Sequence, residues 1–252
     1  MIDPILYPVL TAVAFCTGFI DAIAGGGGLI MVPALLFAGV PPIHALGTNK
    51  LQSMCGTSVA CFNFARKGLI EWHKHRSTVL VVFLGACAGV ILVQAVGSKS
   101  MGLIIPILLM AVSLYVLLSP RMTDEDAHHR VSHNGYLPIA GAIGFYDGFF
   151  GPGTGSFFSS TLVGLRGFGL TRATALTKLL NLTSNVASVI FFAIGGKILW
   201  LLGFCMAIGA MAGGWLGSHS AMRFGAKLIR PMLVLLSLGL TAKLLWSYFA
   251  AP

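Results

Sequence analysis

Charge is scarce in this chain. Asp, Glu, Lys and Arg make up 9% of its 252 residues, against about 25% in an ordinary soluble domain. A soluble fold needs charge to cover its surface, so a soluble enzyme is excluded. A disordered chain, which is rich in charge, is excluded too. Acid is scarcest of all, with seven Asp and Glu against 16 Lys and Arg. The five cysteines, Cys16, Cys55, Cys61, Cys87 and Cys205, form no CxxC. That removes a disulfide scaffold, and each cysteine reads as a small apolar packing residue. The stretch GPGTGS, residues 151–156, lacks a following GK[ST] and has apolar sequence on both sides. It is therefore not a nucleotide-binding loop. His44 and His219 are isolated, and no nucleophile–base constellation or metal-ligand spacing is present. The expectation is a protein that is not an enzyme and needs neither cofactor nor metal.

Apolar residues are abundant: 56% of the chain, with 32 glycines besides. Apolar runs cover approximately 5–24, 29–39, 43–65, 77–97, 102–118, 136–150, 156–165, 173–195, 198–217 and 230–250. Lipid offers no hydrogen-bond partner to open backbone, so runs at this density must be helices. Strands of a β-barrel would alternate polar and apolar, and these runs do not. The fold class is an all-α polytopic membrane protein of about eight transmembrane helices, each needing roughly 20 apolar residues. Glycine-broken or re-entrant segments accompany them, because 29–39 and 156–165 are too short to cross. The first run lacks a basic leader and reads as a retained membrane helix. Glycines four apart, Gly85/Gly89 and Gly209/Gly213/Gly217, suit close helix approach, and small-residue faces of this kind leave room for a homodimer. The formal charge of +9 reads as orientation signal and contact with anionic membrane lipid, not as a nucleic-acid surface.

The chain repeats itself. GFIDAIAGGGG at Gly18 matches GFYDGFFGPGT at Gly144, Lys50 falls on Lys178, GACAG at Gly85 falls on GAMAG at Gly209, and IIPILL (104–109) falls near IRPMLV (229–234). Residues 1–118 form a first transmembrane repeat and 136–252 a second. Between them, 119–135 holds three of the seven acids and three histidines, His128, His129 and His133, and reads as a solvated loop. Arg66, Lys67, Lys74 and Arg76 put the 66–76 gap in the cytoplasm, Lys99 alone leaves 97–102 outside, and Arg121 and Arg130 put the central loop inside. In the second half the bias reverses: Lys197 alone in one gap, Arg223, Lys227 and Arg230 in the next. Loop charge thus favours an inverted repeat with both termini outside. Lys243 snorkels from the last helix.

Ionisable groups within apolar runs are functional candidates by default. Among the acids only Asp21 and Asp147 qualify, at matching positions before the breaks Gly25–Gly28 and Gly151–Gly155. After each break a short apolar segment begins, whose free N–H groups suit an anion. Lys50, Ser53 and Thr57 share one helical face, as do Lys178, Asn181 and Asn185. Asn49, Gln52, Thr177 and Ser184 extend these stripes. Buried cations with hydroxyl and amide donors suit an oxyanion. The candidate substrate site comprises Lys50, Lys178, Asn49, Ser53, Thr57, Asn181, Asn185, Gly25, Gly26, Gly27, Gly28, Gly151, Gly153, Thr154 and Gly155. Asp21 and Asp147 orient the lysines or carry coupling protons. The competing structural reading pairs Asp21 with Lys50 and Asp147 with Lys178 as plain ion pairs.

The segments GFIDAIAGGGGLIMVPALL, ALGTNKLQS, GFYDGFFGPGTGSF, ATALTKLLNLTSN and GGKILW resemble the TauE/SafE family of sulfite and organosulfonate permeases. The resemblance runs over essentially the whole chain. It implies a multi-pass transporter of a bacterial inner (plasma) membrane, moving sulfite, a sulfonate or a related sulfur-containing anion. Proton or sodium coupling fits that expectation. A passive anion channel, or a carrier of a non-sulfur organic anion, is the alternative.

Overall fold

The computed structural model describes residues 3–118 and 130–224, with backbone alone at 99 and 222–224. Its helices are α1 (Leu6–Ala24), α2 (Gly28–Phe37), α3 (Pro42–Arg66), α4 (Arg76–Val96), α5 (Ser98–Leu118), α6 (His133–Phe149), α7 (Thr154–Gly164), α8 (Leu170–Ile194) and α9 (Trp200–Phe224). A 3₁₀ turn, Trp72–His75, leads into α4, and no strand occurs among the described residues. Each apolar run up to residue 217 became a helix. The 230–250 run lies outside the described residues, as do Arg121, His128, His129, Lys227, Arg230, Lys243 and the IRPMLV segment. His133 is not loop: it opens α6, where Ser132 caps the helix by accepting from the Gly135 N–H. Its Nε2 lies 2.8 Å from the Ser77 hydroxyl.

Five helical stretches are long and apolar enough to cross a bilayer: Leu6–Ala24, Trp72–Val96, Ser100–Leu118, Leu170–Ile194 and Trp200–Ala221. Leu80, Leu84, Ile91, Leu201, Phe204 and Ile208 stand exposed on such helices, which suits lipid rather than water. The chain is a multi-pass helical membrane protein. The α3 helix is as long as α8, 25 residues, but its buried polar residues lower its hydropathy. The α2 and α7 helices, at 10 and 11 residues, are too short to span.

Each short helix folds back on the helix before it. Gly27 lies against Thr17, and Leu35 shares a core with Leu10 and Ala14, so α1 and α2 form an antiparallel hairpin. Likewise the Tyr146 ring meets Phe157 at 5.0 Å and the Tyr136 hydroxyl meets Thr161 at 2.9 Å, which folds α7 back on α6. Gly25 (φ 69°) and Gly153 (φ 84°) turn the tips through the left-handed region, where other residues are strained. The two tips touch. A Cβ on Gly25 would lie 2.8 Å from the Gly155 backbone, so only glycine permits the contact.

Helix directions follow from the close contacts. Gly209, Gly213 and Gly217 of α9 lie in turn on Thr11, Phe15 and Phe19 of α1, and Gly85 and Gly89 of α4 lie on Gly141 and Phe145 of α6. Both pairs therefore run parallel, and these glycines serve close approach within the chain. The α3 helix also runs parallel to α9, through Leu51–Gly203, Gly56–Ala210 and a 2.8 Å bond from Asn63 to Ser218. By contrast α3 and α8 are antiparallel: Gly47 meets Phe192, while Cys61 clusters with Leu176 and Leu179. Gly18 rests on Ala210 as Gly144 rests on Val82, which relates α4 to α9 at a spacing of 128. The sequence match of GACAG with GAMAG has a spacing of 124, one helical turn less. Positive-φ Gly68 and Gly196, also 128 apart, agree.

At one end of the bundle the 66–76 turn is tied to α8. Glu71 accepts from Arg172 at 2.7 Å and from Lys74. The hydrogen bond from Lys74, aided by Arg172 and His75, holds the Glu71 carboxyl below its ordinary range.

Candidate functional site

The centre of the molecule is where the hairpin tips meet α3 and α8. Asp21 sits in the last turn of α1 and Asp147 in the last turn of α6, each just before its glycine break. Lys50 and Lys178 sit in the first half of α3 and α8. The lysines are 2% and 1% exposed, depths at which an unpaired ammonium would be strongly disfavoured.

The ion pairs cross between the halves. Lys50 donates to Asp147 at 2.7 Å, and Lys178 donates to Asp21 Oδ2 at 3.0 Å and to the Asp21 carbonyl. This corrects the within-half pairing, Asp21 with Lys50 and Asp147 with Lys178. The antiparallel crossing of α3 and α8 sets each lysine beside the tip of the other half's hairpin. Asp147 also accepts from the Thr154 hydroxyl at 2.9 Å and from Ser184. Asp21 accepts instead from the backbone N–H groups of Gly26 and Gly27, at 3.1 and 3.3 Å. Those N–H groups, expected to face substrate, are occupied by the chain's own carboxylate at the start of α2.

A cavity of about 30 Å³ lies between the pairs. It is lined by Asp21, Asp147, Lys50, Asn49, Ser53, Thr57, Asn181, Asn185, Thr154, Gly26, Gly28, Gly151, Gly153 and Gly155. Lys178, Gly25 and Gly27 are not among its walls; they support it from behind through Asp21 and Gly155. Gln52 donates to Asn49 and Ser53, both at 2.9 Å. The Asn181 Oδ1 is buried without a hydrogen-bond partner among the described residues. The α3 stripe Lys50, Ser53, Thr57 and its α8 counterparts Asn181 and Asn185 meet here, as their helical spacing implied. Sequence reasoning missed Tyr146, whose hydroxyl donates to the Pro152 carbonyl at 2.6 Å and braces the second tip. It also missed an adjoining cavity of about 20 Å³ between α1, α3 and α9. The small residues Gly18, Gly56 and Ala60 were its signal.

Apolar helices surround two crossed ion pairs with buried lysines and a polar cavity, an arrangement suited to a membrane transporter. The family described as Sulfite exporter TauE/SafE matches residues 10–244, and the chain belongs to that family. Among its relatives is the probable membrane transporter protein YfcA of Escherichia coli (strain K12), 44% identical over 247 residues, 98% of this chain and 92% of the relative. A probable membrane transporter protein of Haemophilus influenzae is 46% identical over 242 residues, 96% of this chain and 95% of the relative. A third, ORF9 of a Sinorhizobium species, is 45% identical over 241 residues, 95% of this chain and 92% of the relative. No solved structure matches.

Proposed function

We propose that this chain is a secondary transporter that moves a small anion, sulfite or an organosulfonate, by alternating access across a bacterial inner membrane. The observation that carries the reading is the pair of buried lysines, each held by a carboxylate of the other half. Asp21 and Asp147 act as internal anions. A substrate oxyanion takes the place of one carboxylate, keeps the lysine charge paired, and gains the amide and hydroxyl donors of Asn49, Ser53, Thr57, Asn181 and Asn185. Gly26, Gly27 and Thr154 then supply donors that the carboxylates release.

The architecture in this reading is an inverted repeat of residues 1–118 and 136–252, about eight spans with two re-entrant hairpins. Parallel α1, α3 and α9 opposed to parallel α4, α6 and α8 support it, as does the recurrence of long, short, long helices in both halves. A cavity of about 30 Å³ has room for about one or two waters. An anion must therefore open it, which favours a carrier over a standing channel. Lipid contact, proton or sodium coupling and homodimer formation are further parts of this reading.

The test is uptake of radiolabelled sulfite, sulfate and a small sulfonate into proteoliposomes, with and without an imposed pH or sodium gradient. Uphill, saturable uptake of one anion that Lys50→Ala and Lys178→Ala abolish is the expected outcome. Passive equilibration would mark a channel, and normal flux in folded lysine variants would remove the lysines from the mechanism.

A further inference from the structure

The two ion pairs are not equivalent, and their difference has a direction. In the antiparallel α3/α8 crossing, Gly47 stands opposite Phe192 and Cys61 near Leu176. Lys50 is therefore level with Ser188, and Lys178 with Ala60. Ten residues of α3 separate these levels, about 15 Å along the helix axis. That distance separates the lysine backbones; the charged ends of the two pairs converge on one cavity, which Lys50, Asp21 and Asp147 line together. Lys178–Asp21 lies toward the 66–76 turn and Lys50–Asp147 toward the 195–199 turn.

Their surroundings differ in the same sense. Asp147 is 4% exposed, with Thr154 and Ser184 hydroxyls beside its lysine. The residues that correspond to those two donors in the first half are Gly28 and Gly56, which carry no hydroxyl. Asp21 is accordingly 26% exposed. Where Ser184 fills the space beside Asp147, Gly56 leaves room beside Asp21. That room is the cavity of about 20 Å³ walled by Thr17, Gly18, Gly56, Ala60 and Ala210. Ser188 is fully buried and bonded to the Ser184 carbonyl at 2.7 Å, and Ala60 and Thr17 are buried too, 1% and 2% exposed, so labelling at any of them needs an opening.

We propose that the two pairs are gates in series. Lys178–Asp21 is the gate that opens from this conformation, into the cavity between α1, α3 and α9 on the side of the 66–76 turn. Lys50–Asp147 is the gate held shut. The inference rests on the transport reading for its meaning, but its geometry can be tested without any substrate.

The experiment uses the full chain with its five cysteines replaced, and single cysteines introduced as Ala60→Cys or Ser188→Cys. The purified protein in detergent exposes both faces to a charged, water-soluble thiosulfonate, and labelling rates are read by mass. Local opening sets such rates, and Ala60→Cys is expected to label about tenfold faster than Ser188→Cys or more. Asp21→Asn, which loosens Lys178, is expected to quicken Ala60→Cys and leave Ser188→Cys unchanged. Equal rates, or faster labelling at Ser188→Cys, would overturn the proposal. Thr17→Cys, on the same cavity wall, replaces Ala60→Cys if that variant does not fold. Sulfite uptake by the wild-type chain is measured alongside. Asymmetric labelling without sulfite uptake would leave the gates standing and remove the substrate. Sulfite uptake with symmetric labelling would do the reverse.

Discussion

The crossed pairing of Lys50 with Asp147 makes a demanding prediction about stability. Both side chains are nearly sealed from solvent, 3% and 4% exposed, at 2.7 Å separation. Removing one partner leaves a buried charge without compensation, which costs about 3–5 kcal/mol. For a chain of this size each kcal/mol shifts the unfolding midpoint by roughly 2–4 °C, so Lys50→Met or Asp147→Leu alone should lower it by about 6–20 °C. The double variant Lys50→Met/Asp147→Leu removes both charges and fills the space with apolar groups. Such replacements are often neutral or stabilising, and the midpoint should return close to wild type. The within-half double, Lys50→Met/Asp21→Leu, leaves Asp147 and Lys178 both unpaired and should be worse than either single change. The assay is thermal unfolding of the detergent-solubilised protein, followed by the height of its size-exclusion peak. Rescue by Asp21→Leu but not by Asp147→Leu would refute the crossed pairing. A coupling below about 0.5 kcal/mol between Lys50 and Asp147 would show that they do not interact.

Four further predictions address other parts of the molecule. Gly89→Leu places side-chain atoms where the α6 backbone at Phe145 and Phe149 lies and should abolish the monodisperse peak. Gly164→Ala, with nothing near its Cβ, should be tolerated or stabilise by up to about 1 kcal/mol. Gly25→Ala meets both a φ of 69° and the Gly155 backbone; it should part the hairpin tips and remove the anion uptake proposed above while the protein still inserts in the membrane. Glu71 has a carboxyl whose folded value is depressed below 4.5 by Lys74. Its contribution is present above the unfolded value and fades as pH falls through the folded one. Wild type should thus exceed Glu71→Gln in midpoint near neutral pH, and the difference should shrink below about 4.5 and vanish once the pH lies below the folded value. A difference that grows in acid would reverse the sign of the argument.

Much of the architecture was legible in the chain alone. Scarce charge and long apolar runs require helices in lipid, because the backbone has no other partner there. Those constraints act residue by residue, so helix positions up to α9, the two short segments and their glycine breaks could be read along the sequence. The same logic isolates Asp21, Asp147, Lys50 and Lys178: a charged side chain within an apolar run is costly wherever the run ends up. The helical spacing of Lys50, Ser53 and Thr57 placed them on one face before any neighbour was known.

What the chain alone did not settle was which groups meet. Asp21 with Lys50 and Asp21 with Lys178 satisfy the matched halves equally well, because exchanging the halves turns each pattern into itself. Only the antiparallel crossing of α3 and α8 decides for the crossed pairs. The register of α4 against α9 was likewise ambiguous, since glycines repeat every turn in both and the sequence match can slide by four. The backbone contacts of Gly18 with Ala210 and of Gly144 with Val82 favour a spacing of 128. The unequal surroundings of Asp21 and Asp147 arise from Gly56 and Ser184, residues far from either acid in sequence. Burial and periodicity are properties of a segment, whereas pairing, access and asymmetry belong to segments brought together.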